Sequence, residues 1–341
     1  MEIIVPAAGL SSRFPDMKPK YLLYDYSHKL MLQRALEPYM AYPITIGILK
    51  EHDEKYHASD FIRHEFGDRI RIVVLDTVTT GPADTVYQII TRASIDLSSE
   101  IFIKDCDSFF EHEVAPGNYV CASNIAEHEV LKKLASKSFV ISNEQGIITN
   151  IIEKKVVSDT FCVGGYKFET AAMFVDAFTK ITSAKEVFVS DVIQQCMLNQ
   201  HIFTKKSVSN YTDVGTSAEW FEYNDRPVIF CDIDGTLIHS QSRVGKNKFS
   251  DEPVLLEKNV AKILEYQRRG SQIVFTTARN KNLESRTREI LDGMGFENYT
   301  LIIGLLNSSR ILINDYNAAN PYPRAVAVNI QRNKDELCNY L

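Results

Sequence analysis

The stretch Val5-Pro6-Ala7-Ala8-Gly9-Leu10-Ser11-Ser12-Arg13-Phe14-Pro15-Asp16-Met17-Lys18-Pro19-Lys20 decides how most of the chain is read. It follows the apolar run Ile3-Ile4-Val5, which predicts a loop leaving the end of a buried strand. Ala7, Ala8 and Gly9 carry almost no side chain, so backbone N–H groups can approach a ligand closely, and Gly9 is free to take φ values that other residues avoid. Arg13 then offers a flat fork of donors and Lys20 a compact point charge. Small residues followed by two cations suit a phosphate group.

Outward from this loop, a helical pattern around Leu30 to Tyr39 leads to the apolar run Ile44 to Leu49, and a second from Asp53 to Phe66 leads to the run Ile70 to Leu75. Short apolar strands alternating with helices predict an α/β fold, a Rossmann-like and mainly parallel sheet covered on both faces. Ligands of such sheets sit beyond the carboxyl ends of the strands, where the first loop already lies. Asp76 to Thr85 is turn-rich and opens a helix, with Gly81, Pro82 and Ala83 at its start. The run Ile101-Phe102-Ile103-Lys104 predicts a buried strand leading into Asp105 and Asp107. Residues two apart share one side of an extended strand, so both carboxylates could approach one cation, and Mg²⁺ takes one or two carboxylates plus substrate phosphates.

Several later segments complete a pattern. Thr149-Asn150-Ile151-Ile152-Glu153-Lys154-Lys155 and Phe161-Cys162-Val163-Gly164-Gly165-Tyr166 precede Val187-Phe188-Val189-Ser190-Asp191-Val192, where Ser190 reads as a helix N-cap. Tyr211-Thr212-Asp213-Val214-Gly215-Thr216 follows. Taken in order, these segments resemble those of the nucleotidyltransferases that make nucleotide-activated sugars and alcohols, whose loop is usually Ala-Ala-Gly-x-Gly-x-Arg with Pro-Lys soon after. Ser11 stands at the second glycine position, a departure from that pattern. The resemblance implies that Ala7, Ala8, Gly9, Gly81, Pro82 and Ala83 bind the nucleotide and that Arg13 and Lys20 act on its triphosphate. It also implies that Glu153, Lys154, Gly165 and Tyr166 line the acceptor pocket, with Lys154 meeting the acceptor phosphate, and that Asp107 and Asp213, helped by Asp105, hold Mg²⁺. Singly, each segment has a plainer reading: a strand-to-helix turn, a capped helix start, a solvated Glu-Lys-Lys face.

Polar Glu222 to Pro227 marks a boundary, giving an expected first domain of residues 1–225 and a second of 226–341. Val228-Ile229-Phe230-Cys231 reads as a new buried strand ending in Asp232-Ile233-Asp234-Gly235-Thr236. This run resembles the first motif of the haloacid-dehalogenase-like phosphatases. The resemblance implies a second Rossmann-like domain in which Asp232 attacks phosphorus, Asp234 serves as general acid and base, and Thr277 binds the phosphoryl group. Metal would be held by Asp232, Asp234 and Asp315, the last following the expected strand Ile311-Leu312-Ile313. Asn314 stands where many relatives have another acid. The cation that steadies the phosphoryl group is expected to be Arg310, with Lys281 as the alternative. Only a flap, Ile238 to Pro253, and a helix separate the first two motifs, so no large cap is expected; its Arg243, Lys246 and Lys248 could guide an anionic substrate or simply form a basic loop.

Bulk properties limit the alternatives. At 341 residues, 45% hydrophobic and 24% charged, the chain has the composition of a soluble globular protein too long for one core. A net charge of −6 without a basic stripe argues against nucleic acid as a partner. No signal-peptide pattern or membrane-length apolar run is present, so no membrane partner and a cytoplasmic location are expected. The six cysteines include no Cys-x-x-Cys pair and predict neither disulfide nor zinc site. The expected protein is bifunctional: Mg²⁺-dependent transfer from a nucleoside triphosphate, CTP or UTP favoured, to a phosphorylated small molecule, joined to phosphomonoester hydrolysis. By analogy its products would feed capsule or surface polysaccharide, and self-association is left open.

Overall fold

A computed structural model describes residues 1–127, 137–182, 186–240, 253–314 and 325–341. The chain divides into two compact units, Met1–Asn224 and Asp225–Leu341. Among the described residues no helix is long and apolar enough to cross a membrane.

The first unit contains strands β1 (Glu2–Pro6), β2 (Ile44–Leu49), β3 (Ile70–Leu75), β4 (Ile101–Lys104), β5 (Ser108–Glu111), β6 (Tyr119–Asn124), β7 (Phe139–Ser142), β8 (Ile148–Ile152), β9 (Thr160–Phe168), β10 (Thr204–Ser207) and β11 (Ser209–Asp213). Its helices are α1 (Met31–Leu36), α2 (Lys50–Tyr56), α3 (Ala58–Phe66), α4 (Pro82–Arg92), α5 (Ala171–Thr179), α6 (Val189–Leu198) and α7 (Ser217–Asn224). The main sheet runs β10-β6-β9-β4-β1-β2-β3, with β7 and β8 attached at β9. Along that path only β9 runs against the others, so the sheet is mainly parallel, as its alternating apolar runs predict. Ile4 of β1 faces a core built with α4, α5 and α6, while Ile3 and Val5 face one built with α1 and α3. A strand buried on both faces needs a continuous apolar run, which is what Ile3-Ile4-Val5 supplies.

Two local expectations change. The helix expected over Asp53 to Phe66 is two helices, α2 and α3, because His57 between them takes a left-handed φ of 53°. β4 ends at Lys104, so Asp105 and Asp107 lie in a turn before β5 rather than on an extended strand.

The second unit contains β12 (Ile229–Asp232), α8 (Glu257–Arg268), β13 (Ile273–Thr277), α9 (Glu284–Gly293) and β14 (Thr300–Ile303). The three strands are parallel in the order β12-β13-β14. Cys231, Ile273 and Phe275 pack with Val260, Ile263 and Leu291 of the helices in one core. The fourth strand expected at Ile311-Leu312-Ile313 is absent: this run pairs with no described strand and its side chains are exposed. Its apolar character and the phosphatase resemblance predicted it, and without a ladder partner such a run remains irregular.

Candidate active site

The first loop is fixed at its start and open at its tip. Ala7 donates its N–H to Gly47 O at 3.0 Å, and the Ala7 and Ala8 side chains enter the two cores on opposite faces of the sheet. Gly9 is exposed, and a Cβ placed there would meet nothing within 4 Å. The left-handed residue of the loop is not Gly9 but Ser11, at φ 52°. Ser11 Oγ accepts from the Lys20 N–H at 3.2 Å, tying the tip of the loop to the lysine.

Lys20 Nζ lies 2.5 Å from Asp107 Oδ2, and Arg13 Nη2 lies 3.4 Å from the same oxygen. Asp213, at the end of β11, pairs with Ser108 of β5, and Val214 donates its N–H to Asp107 O at 3.0 Å. These backbone ties join two aspartates far apart in the sequence. A Cβ on Gly215 would stand 3.1 Å from Asp107 Oδ2, 3.2 Å from Asp213 Oδ1 and 3.3 Å from Arg13 Nη1. The bare Gly215 Cα is therefore a cradle around which both carboxylates and the arginine converge.

Two lysines without a sequence-derived role complete the cluster. Lys137 Nζ donates to Asp213 Oδ2 and, at 2.7 Å, to the Tyr211 hydroxyl. Lys104, fully buried at the end of β4, donates to Asp105 O and Ser108 O at 2.7 Å and to Ser108 Oγ at 3.0 Å, bracing the turn that carries Asp107. Burial works against a charged Asp107, but the Lys20 and Arg13 cations outweigh it and hold its carboxyl well below the usual range. Asp105 sits over Gly164, where a Cβ would be 2.6 Å from its Oδ2, and burial together with the Asp107 charge pushes its carboxyl up to about 6. Burial likewise pulls the Lys104 ammonium down to about 8.

The segments expected to line the acceptor pocket are placed unevenly. Glu153 Oε2 accepts from the Ser138 and Ser190 hydroxyls. Ser190 is thus not the N-cap of α6; Phe188 holds that position, and Asp191 Oδ2 accepts the Phe188 N–H at 2.8 Å. Lys154 has a left-handed φ of 53°, and its ammonium lies 4.1 Å from the Phe188 ring centroid and 3.7 Å from Glu186. Gly165 is packed in the core, where a Cβ would come within 2.7 Å of Phe110 and 3.0 Å of Phe102, and Tyr166 is buried. The glycine beside the acids is Gly164.

Gly81, Pro82 and Ala83 open α4 against the segment before α6. Ala83 donates its N–H to Val187 O at 3.2 Å, and a Cβ on Gly81 would strike that same oxygen at 2.5 Å. Glycine is required there by chain packing, and Pro82 suits the first helical position, where an N–H is not needed.

In the second unit, β12 and β13 bring the expected residues together. Arg310 Nη2 lies 2.9 Å from Asp232 Oδ1; burial raises the Asp232 carboxyl, the Arg310 cation opposes this and the Asp234 charge adds to it. Asp234 is held by a residue without an expected role: Arg279 Nη2 and Nε reach its two oxygens at 2.8 and 2.9 Å, and Thr277 Oγ1 donates to it at 3.1 Å. Thr277 therefore faces Asp234, and both oxygens of that carboxylate are engaged by protein. Gly235 is left-handed at φ 95° against Arg332. Asp315 and the flap residues Arg243, Lys246 and Lys248 lie outside the described residues.

Among solved structures, the fold is similar to that of a nucleoside-diphosphate-sugar pyrophosphorylase from Vibrio cholerae RC9, at 17% identity over 64% of this chain and 98% of that chain, with a TM-score of 0.54. It is also similar to the inositol-1-phosphate CTP transferase from T. maritima, at 16% identity over 64% of this chain and 90% of that chain, with a TM-score of 0.53. The C-terminal unit lies outside the matched region. No protein-family model and no curated protein matches the chain. At these identities the likeness establishes a shared architecture.

Proposed function

We propose that the first unit transfers a nucleotidyl group from a nucleoside triphosphate to a phosphorylated small molecule and releases pyrophosphate. The observation that carries this reading is the convergence of Asp107, Asp213 and Arg13 around Gly215, with Lys20 on Asp107. Among the described residues no group of three or more His, Cys, Asp or Glu side chains could hold a metal. Two carboxylates at one glycine cradle nevertheless fit Mg²⁺, a hard cation that draws its remaining ligands from phosphates and water. Asp107 and Asp213 would hold it, and it would supply charge neutralisation at the phosphates. By analogy, the names of the structural neighbours favour a sugar or polyol phosphate as acceptor, and that of the CTP transferase a pyrimidine nucleotide as donor.

The residues divide the remaining work. The open Gly9 tip admits the phosphates, and Lys20 and Arg13 counter charge on the triphosphate and the leaving pyrophosphate. Asp105 lies behind them, over Gly164. A phosphate acceptor is already anionic at neutral pH, so its oxygen attacks the α-phosphorus without a general base, and alignment with charge neutralisation carries the rate. Pyrophosphate release should be screened with the four triphosphates against phosphorylated sugars, polyols, choline-like alcohols and amino-acid amides. Asp107→Ala should abolish it; persistence in that variant would remove the basis of the reading.

For the second unit the supporting observation is Asp232 beside Arg310 with Asp234 and Thr277 adjacent. We read it as a phosphomonoesterase working through an aspartyl phosphate on Asp232, serving the same surface-glycan precursor route; Asp232, with Asp315 as the sequence implies, would hold Mg²⁺ to neutralise phosphate charge. The competing reading, a regulatory module without turnover, draws on Asn314 and on the Arg279 clamp over Asp234. Hydrolysis of an aryl phosphate by the full chain, lost in Asp232→Asn, supports the phosphatase; no hydrolysis supports the module.

A further inference from the structure

Lys137 stands just before β7, on the wall that carries Glu153. Its carbonyl accepts the Lys154 N–H at 3.0 Å, and the neighbouring Ser138 hydroxyl donates to Glu153. From this wall its side chain reaches the acids, donating to Asp213 and to the Tyr211 hydroxyl. A lysine ammonium has three donors, and among the described residues the third has no protein acceptor. The side chain is only 15% exposed, so that donor stands in a largely desolvated site where a charge-assisted bond is strong.

Lys154 is the weaker candidate for the same task. Its ammonium is directed to the Phe188 ring and Glu186, and its side chain is half exposed. Arg13 and Lys20, both from the first loop, contact Asp107, whereas Lys137 contacts Asp213. The cations are therefore split between the two carboxylates.

The geometry points to Lys137, not Lys154, as the residue that binds the phosphate group of the acceptor. This rests on the nucleotidyl-transfer reading and adds to it the residue that grips the nucleophile. The acceptor is a phosphomonoester dianion, and Lys137 pairs with one of its non-attacking oxygens while another oxygen forms the new bond to the α-phosphorus and pyrophosphate departs with the electrons of the broken P–O bond. Asp213 and Tyr211 hold the ammonium in place for this contact.

The chain has a single tryptophan, Trp220, packed with Phe14 and Val214 beside the site. Its fluorescence in the full chain, titrated with inorganic phosphate in the presence of Mg²⁺, reports binding in the first unit. Lys137→Met should weaken phosphate binding by about tenfold or more, Lys137→Arg should recover part of the loss, and Lys154→Met should stay within about twofold of the parent. Should Lys137→Met fail to fold, Lys137→Gln takes its place. A parent-like midpoint in Lys137→Met, a larger loss in Lys154→Met, or no phosphate response in the parent would each overturn the assignment. The pyrophosphate screen tests the reaction and this titration tests the lysine, so failure of one is separable from failure of the other.

Discussion

Ser11 Oγ accepts the Lys20 N–H at 3.2 Å while Ser11 itself sits in the left-handed region at φ 52°. The serine thus accepts strain and returns a hydrogen bond that positions Lys20. An L-residue in that conformation costs about 1 kcal/mol relative to glycine, and the bond contributes about 1 kcal/mol. Ser11→Ala keeps the strain and loses the bond, so it should lower stability by about 1 kcal/mol. Ser11→Gly loses the bond but relieves the strain, and should cost less. Urea unfolding of both variants checks this; equal losses would mean that the backbone there is unstrained.

Gly9 and Gly164 are expected to respond oppositely to alanine. Nothing lies within 4 Å of a Cβ on Gly9, so Gly9→Ala should change stability by less than about 0.5 kcal/mol yet impair triphosphate use if phosphates approach the bare backbone. Gly164 combines φ +85° with a Cβ position 2.6 Å from Asp105 and 2.9 Å from Ser108, so Gly164→Ala should cost about 2 kcal/mol or more and displace the acid turn. Unfolding midpoints and pyrophosphate release, measured on both variants, separate the two effects. A Gly9→Ala protein with unchanged turnover would show that the loop tip does not meet phosphate.

These contrasts also show how far the sequence could be read. The apolar runs at Ile3, Ile44 and Ile101 specify their strands because burial on both faces leaves no room for polar alternation, whereas the edge strand at Ile70 tolerates an exposed Arg71 within its apolar run. Asp107 and Asp213 were legible only through the order of short segments, since nothing in local spacing says that β11 pairs with β5. Lys104 carried a faint signal, a cation ending an otherwise apolar strand, whereas Lys137 follows a lysine-containing stretch that reads as a solvated face. Arg279 was visible two residues after Thr277, but the bidentate grip on Asp234 depends on two parallel strands ending side by side. The failed strand at Ile311 has the converse cause, a local pattern without a partner.

His112 supplies a pH dependence. Its ring bridges the Tyr39 hydroxyl at 2.9 Å and the Tyr119 hydroxyl at 3.2 Å, and burial, aided by the Lys104 and Lys206 cations, pulls it down to about 4. In the unfolded chain it titrates near 6.5, so as pH falls from about 6.5 towards 4 the unfolded state takes up the proton first. The contribution of the neutral ring is therefore complete above about pH 6.5 and is lost as pH drops through its folded value. The stability difference between the parent and His112→Gln should shrink across that interval in urea unfolding. A difference independent of pH would place a charged ring in the native core.

The Arg279 clamp on Asp234 separates geometry from charge. Its side chain is 5% exposed and forks onto both oxygens of Asp234, while its Nη1 reaches the Thr287 hydroxyl at 3.2 Å. Removing one partner of a buried ion pair costs roughly 3–5 kcal/mol, and because the Asp234 side chain stays 27% exposed the loss in Arg279→Leu should be about 2 kcal/mol. Arg279→Lys keeps the charge but not the two parallel bonds, so it should recover stability in part while leaving the Asp234 carboxylate free to rotate. If Asp234 works as general acid and base, aryl phosphate turnover by Arg279→Lys should fall more than its stability does. Turnover and unfolding midpoint falling in proportion would instead make the clamp a structural ion pair.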